Sequence, residues 1–269
     1  MRTTLLAAVC IACIATVAKA HEFWIDTTDY QITPGEKVVA ELMVGTEFEG
    51  SRQPFIPRNF KRFHYVQDGQ VLDVPGVVGD RPAANFVADD EGLMVLVHET
   101  TNLSLTWDTW EKFEAFVRHK DAEWVLDAHL EAGLSKEKVR EVYSRHAKSL
   151  IAVGTGAGAD VVAGLLTEIV ALENPYTGDM TDGIDVAVLY EGKPRARTQV
   201  EVFEKSPDGE VRIFTVTTDD AGHATVPVKP GREYMLDAVV LRRPLEQPAD
   251  KAPYLWESLW ANLTFEVPG

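Results

Sequence analysis

Residues 184–190 read IDVAVLY, residues 198–204 TQVEVFE and residues 211–217 VRIFTVT. Each alternates β-branched or aromatic side chains with polar ones, the period-2 pattern of a half-buried strand. Glu191-Gly192-Lys193-Pro194, Pro207-Asp208-Gly209, Asp220-Ala221-Gly222 and Pro230-Gly231 punctuate the series as turns. ATVPV (224–228), EYMLDAVVL (233–241) and NLTFEV (262–267) continue it. Short strands at this spacing predict an immunoglobulin-like β-sandwich over residues 182–269.

Residues 21–107 carry the same signature. In HEFWID (21–26), Phe23 and Ile25 point one way and Trp24 and Asp26 the other. Lys37–Val44, Phe60–Val66, Val71–Val74 and GLMVLVHE (92–99) are further predicted strands. Residues 108–150 switch to helical period. Trp110, Phe113, Phe116 and Val117 form one stripe behind Asp108 or Thr109 as N-cap, and Trp124, Val125 and Ala128 resume it as far as Gly133. Ser135 is placed to cap a third helix presenting Val139, Val142, Tyr143, His146 and Leu150 on one face. The glycine-rich run 154–164 lacks the Gly-Lys-Ser/Thr of a phosphate loop and reads as a flexible hairpin or loop. The predicted architecture is therefore mainly β. It has two immunoglobulin-like β-sandwich domains, residues 21–165 and 182–269, with a helical insertion (108–150) in or after the first.

The chain has 42 Asp and Glu against 26 Lys and Arg, a formal net charge of −16. Nucleic acid is excluded as a partner, since that binding rests on cations neutralising phosphates, and the balance suits a protein that meets cations. Residues 1–20 read MRTTLLAAVCIACIATVAKA: a basic start, an apolar run from Leu5 to Val17 and a small-x-small end at Ala18-Lys19-Ala20. This is the pattern of a secretory signal peptide, too short for a comfortable membrane span. Processing would leave no stable membrane insertion. Cys10 and Cys13 both fall inside it, so the processed chain would have neither disulfide nor thiolate ligand. Export without disulfides places the protein in a bacterial periplasm.

Cleavage after Ala20 would make His21 the first residue. Its α-amine and Nδ1 then form a two-nitrogen chelate, and the amine loses its proton near neutral pH at little cost. Nitrogen donors suit a divalent transition metal (Cu, Ni, Co or Zn) over Mg or Ca. Further imidazoles would complete the site, with His98 at the end of its predicted strand and His146 on its predicted helix as the candidates. His64, His119 and His129 are weaker candidates and His223 sits in a turn. There is no HExxH and no G-x-S-x-G, and no carboxylate pair stands out as catalytic.

Several segments together resemble the DUF4198 family, the NikM-like periplasmic components of cobalt and nickel transport systems. They are HEFWIDTTDYQITPGEKV (21–38), EVYSRHAKSLIAVG (141–154), LLTEIVALENPYTGDM (165–180), VLYEGKPRARTQVEVF (188–203) and TTDDAGHATVPVKPG (217–231). The resemblance runs in order over nearly all of residues 21–267. It implies a periplasmic role in binding or taking up a divalent metal, with a metal transporter of the inner or outer membrane as receiving partner and no enzymatic activity. Two other readings compete. A histidine-brace copper oxidase of the polysaccharide monooxygenase type shares the N-terminal His and the sandwich. A structural or adhesive module needs only the sandwich and predicts no metal affinity beyond that of surface carboxylates.

Overall fold

The computed structural model describes residues 21–249 and 251–269; the predicted signal peptide lies outside the described residues. The chain begins with nine strands: β1 (Glu22–Thr27), β2 (Gln31–Ile32), β3 (Lys37–Thr46), β4 (Glu49–Gln53), β5 (Phe60–Gln67), β6 (Gln70–Asp73), β7 (Ala84–Val87), β8 (Gly92–Thr100) and β9 (Leu103–Thr106). Helices α1 (Trp110–His119) and α2 (Trp124–Glu131) follow, then the long β10 (Arg140–Val153). The remainder is β11 (Thr167–Ala171), β12 (Ile184–Tyr190), β13 (Lys193–Pro194), β14 (Gln199–Lys205), β15 (Val211–Thr217), β16 (His223–Val226), β17 (Arg232–Arg242) and β18 (Trp256–Val267).

The strands form three sheets. The central one has ten strands, its main path running β15-β14-β17-β18-β10-β8-β5-β6, with β2 and β9 also paired to β10. Stretches 21–165 and 182–269 both contribute to it. They meet where β10 runs parallel to β18, from Glu141 beside Trp256 to Ser149 beside Thr264. A first outer sheet is β1-β3-β4 with β7 on β3, and a second is β11-β12-β13 with β16 on β12. The protein is thus mainly β, its sheets packed face to face, as the strand pattern predicted.

Alternation along the central strands decides what each face meets. On β8, Val95 and Val97 join Leu150 against Ile169, Val186 and Val188 of the second outer sheet. Met94 and Leu96 join Ala147 and Ile151 against Ile25, Val38 and Leu42 of the first. A strand covered on both sides needs apolar residues at consecutive positions, which is why LMVLV (93–97) does not alternate.

The helices close the open end of the central sheet. Phe113, Phe116 and Val117 of α1 pack with Val239, Leu241, Trp256 and Trp260 of β17 and β18. Thr109 caps α1, its hydroxyl accepting from the Lys112 amide at 3.3 Å. Thr109→Ala removes that acceptor from an exposed helix start, and a loss of about 1 kcal/mol is expected in urea denaturation. Gly133, at φ +62°, follows the end of α2 in the left-handed region that glycine tolerates. Trp124 does not share the burial of the stripe. It is 52% exposed and meets Trp256 edge-on, with ring centroids 5.8 Å apart.

The third predicted helix is corrected. Residues 140–153, including Val142, Tyr143, His146 and Leu150, form β10. Both faces of this segment are covered, so its apolar positions need not follow period 2 and imitate a helical stripe. What decides is pairing: β10 hydrogen-bonds with β18 on one side and with β8 and β9 on the other. That network exists only in the assembled fold, and it overrides local propensity. The helical segment therefore ends at Glu131.

Candidate functional site

β1 pairs antiparallel with β3 from Glu22 beside Gly45 to Thr27 beside Ala40, so His21 stands just outside the first rung. Phe23 and Ile25 enter the core between the first outer sheet and the central sheet, while Trp24 packs with Met43, Phe203 and Met235. Both faces of β1 are anchored, and the exposed His21 is held at a fixed place. That place is the rim of a pocket of about 400 Å³. His21 and Val44, the β3 partner of Phe23, line one side, and residues 105–108 with Lys112 of α1 form a second. Glu141, Tyr143 and Arg145 of β10, with Trp260 of β18, line the rest.

Glu141, Tyr143 and Arg145 share one face because they alternate along β10. Glu141 is buried and accepts from Trp107 Nε1 at 2.7 Å and from the Ser258 hydroxyl. Trp260 Nε1 donates to the same hydroxyl at 2.9 Å. Burial pushes the Glu141 carboxyl up to about 7, against the pull of its two donors. Arg145 lies with its guanidinium carbon 5.1 Å from the Tyr143 ring centre and 5.4 Å from that of Phe23. Its backbone amide donates to the Thr100 hydroxyl at 3.0 Å. No side-chain hydrogen bond or ion pair holds the guanidinium among the described residues, and burial lowers its pKa. Lys112, by contrast, is paired with Asp108 at 2.7 Å. The aromatic wall is continuous: Trp107 stacks on Phe116 (5.0 Å between centroids) and Phe116 on Trp260 (5.7 Å).

A buried ion cluster adjoins this wall. Lys120 Nζ lies 2.8 Å from Glu201, 3.0 Å from Asp237 and 3.6 Å from Glu22, and 5.0 Å from the Trp260 ring centre. His119 Nε2 reaches the other Glu201 oxygen at 2.8 Å. Burial raises Glu22 to about 7 although Lys120 opposes it. Burial would raise Glu201 too, but the His119 hydrogen bond and the Lys120 charge win and hold it near 2. An ammonium ion occupies the centre of these three carboxylates.

The structure does not bring His21, His98 and His146 together. His98 shares its β8 face with Met94 and Leu96, turned toward the first outer sheet, with its ring 4.6 Å from Phe60 and 5.1 Å from both Phe23 and Phe63. It lines a separate inner cavity of about 90 Å³, and neither ring nitrogen has a partner. His146 takes the opposite face of the central sheet, with Leu150, its Nε2 3.8 Å from Glu99. Burial, reinforced by nearby cations, lowers both imidazoles to about 3, so both are neutral. His129 is a buried structural residue, bonded to Ser135 O and to Trp256 Nε1. Among the described residues no group of three or more His, Cys, Asp or Glu is arranged to hold a metal ion.

Glu141, Arg145 and Lys120 were not singled out by sequence. A signal for the first two was present: read as a strand, REVYSR (140–145) puts Glu, Tyr and Arg at alternate positions on one face.

Layered sheets enclosing a pocket of aromatic and charged side chains define a β-sandwich protein with a small-ligand-sized cleft between outer sheet and helix. The chain belongs to the DUF4198 family, a domain of unknown function, which matches residues 18–242. One solved structure, the D0-D1 domain of Intimin, aligns over 91% of this chain and 97% of its own, at 15% identity and a TM-score of 0.23. No curated protein matches the chain.

Proposed function

We propose that the protein is exported to the periplasm, processed after Ala20, and captures a late first-row divalent cation at His21. The observation that supports this is the placement of His21: an exposed imidazole at the head of a doubly anchored strand, on the rim of the pocket. The α-amine and Nδ1 of a processed His21 supply two nitrogen donors, and the carboxylates of the same pocket are already engaged, Asp108 by Lys112 and Glu141 by Trp107 and Ser258. His98 and His146 are not part of this site, since each is buried on a different face of the central sheet. A two-nitrogen chelate open to solvent exchanges its ion readily. The reading is therefore capture and delivery to a membrane transporter, in line with the NikM-like members of the family.

The test is titration of the chain beginning at His21 with Cu(II), Ni(II), Co(II) and Zn(II). Cu(II) is expected to bind tightest, following the general order for nitrogen sites. Acetylating the His21 α-amine takes one donor out of the chelate, and affinity is expected to fall at least about tenfold, as it should in His21→Ala. Unchanged affinity in both cases removes the reading.

A further inference from the structure

Arg145 sets the same pocket apart from the rest of this acidic molecule. An arginine ordinarily finds a carboxylate when it leaves water, because its desolvation is otherwise uncompensated. Here two aromatic rings lie near the guanidinium, and no acceptor holds it among the described residues. Of the nearby acids, Glu141 is bonded to Trp107 and Ser258, and Glu22 and Asp237, whose charges favour that of Arg145 from a distance, are paired with Lys120. Asp108 is taken by Lys112. The pocket thus presents one uncommitted cation in a protein of net charge −16.

The other walls say what accompanies the negative charge. Trp107 and Trp260 line the pocket with Leu105 and Val44. Behind Arg145, which borders both cavities, the inner space holds His98 with both ring nitrogens unpartnered. A neutral imidazole there is a hydrogen-bond donor next to the guanidinium and adds no second positive charge.

We propose that this cleft binds a small aromatic carboxylate, its carboxylate paired with the Arg145 guanidinium and its ring lying against Trp107 and Trp260. The planar guanidinium fork matches a carboxylate in two parallel hydrogen bonds, and aromatic walls select a flat apolar body over a compact hydrated anion. A pocket of about 400 Å³ is within the usual range for small-molecule sites. The inference goes beyond the metal reading and does not depend on it.

The experiment is calorimetric titration of the chain beginning at His21 with benzoate, in buffer stripped of metal on a chelating resin. Benzamide, with the same ring and no charge, and acetate, with the charge and no ring, are the comparisons. Benzoate is expected to bind at least about tenfold tighter than either. Arg145→Gln is expected to abolish the preference for benzoate over benzamide. Leu105→Trp, at a half-buried position of β9 in the pocket wall, fills the cleft without touching the charge and is expected to weaken benzoate and benzamide alike. It decides the question should Arg145→Gln fail to fold. Benzoate binding no tighter than benzamide, or unchanged in either folded variant, overturns the proposal. Because no metal is present, a failed metal titration and a failed benzoate titration are separate results.

Discussion

Lys148→Met is expected to lower stability by about 3–5 kcal/mol, read as a shift of the urea midpoint at unchanged slope. Lys148 sits on the central strand β10 and is fully buried. Its ammonium lies 2.8 Å from Asp160 Oδ1 and 3.1 Å from Glu168 Oε1, and donates to the Val161 carbonyl at 2.8 Å. The two carboxylates are committed elsewhere as well. Asp160 accepts from the Val161 and Ala171 amides, and Glu168 from those of Ala163, Gly164 and Leu165. One lysine therefore neutralises the two acids that organise the whole segment 160–165 and fasten it to β11. Methionine has nearly the same shape and fills the space, so the loss measures charge and not volume. Removing the cation leaves two buried carboxylates facing each other without it. Burial already raises Asp160, with Lys148 the main force opposing it. In the variant that opposition is gone. An acid whose folded pKa is raised contributes stability below its unfolded value and loses it as pH rises through the folded one. The deficit should thus be larger at about pH 8 than at about pH 5. A deficit independent of pH would count against the charge explanation.

Lys148 and its neighbours on β10 show why the fold was more legible in the sequence than the site. Strands bounded by Pro-Asp-Gly or Gly-Lys-Pro declare themselves locally, because turn chemistry and period-2 patterning lie within ten residues of each other. The helices were legible for the same reason, from Thr109 to Gly133. β10 was not. Glu141, Arg145 and Lys148, four and three residues apart, look like the solvent face of a helix, since charged residues seldom enter a core unpartnered. Glu141 meets Ser258 and Lys148 meets Asp160 and Glu168, partners brought in by segments that no local window contains. The place of His21 at the head of a strand was legible, because the strand pattern is local. The grouping of His21 with His98 and His146 was not, since it depends on which sheet face each side chain takes. The glycine-rich run 154–164, expected to be flexible, is instead tied down through Asp160, a residue that gave no local sign of being buried.

Lys120→Met should produce a loss of similar size, about 3–5 kcal/mol near neutral pH, with a pH signature of its own. Lys120 closes α1 and joins it to β1, β14 and β17 through Glu22, Glu201 and Asp237. In the wild type these acids pull in opposite directions. Glu22, raised to about 7 by burial, stabilises fully below its unfolded value and loses that contribution as pH rises through 7. Glu201, held near 2, stabilises above its unfolded value and loses that contribution only as pH falls through 2. Between the two the native state is best served, and Lys120 itself stays charged, because the three acids outweigh the burial that would lower it. Without the ammonium, burial governs all three acids and their mutual repulsion adds to it, leaving only His119 to support Glu201. Their folded pKa values rise together, so the variant takes up protons on folding. Its stability should climb as pH falls from about 8 to about 5.5, narrowing the gap to wild type. Adding Asp237→Asn and Glu201→Gln to Lys120→Met removes two of the stranded charges. It should recover much of the loss at about pH 8, since a cluster of the same shape with one acid left carries less desolvation cost and no repulsion between acids. Urea midpoints across pH for wild type, single and triple variants check this directly. Parallel curves for wild type and Lys120→Met would mean that the lysine acts by packing under Trp260, and that the three acids do not depend on it for their charge.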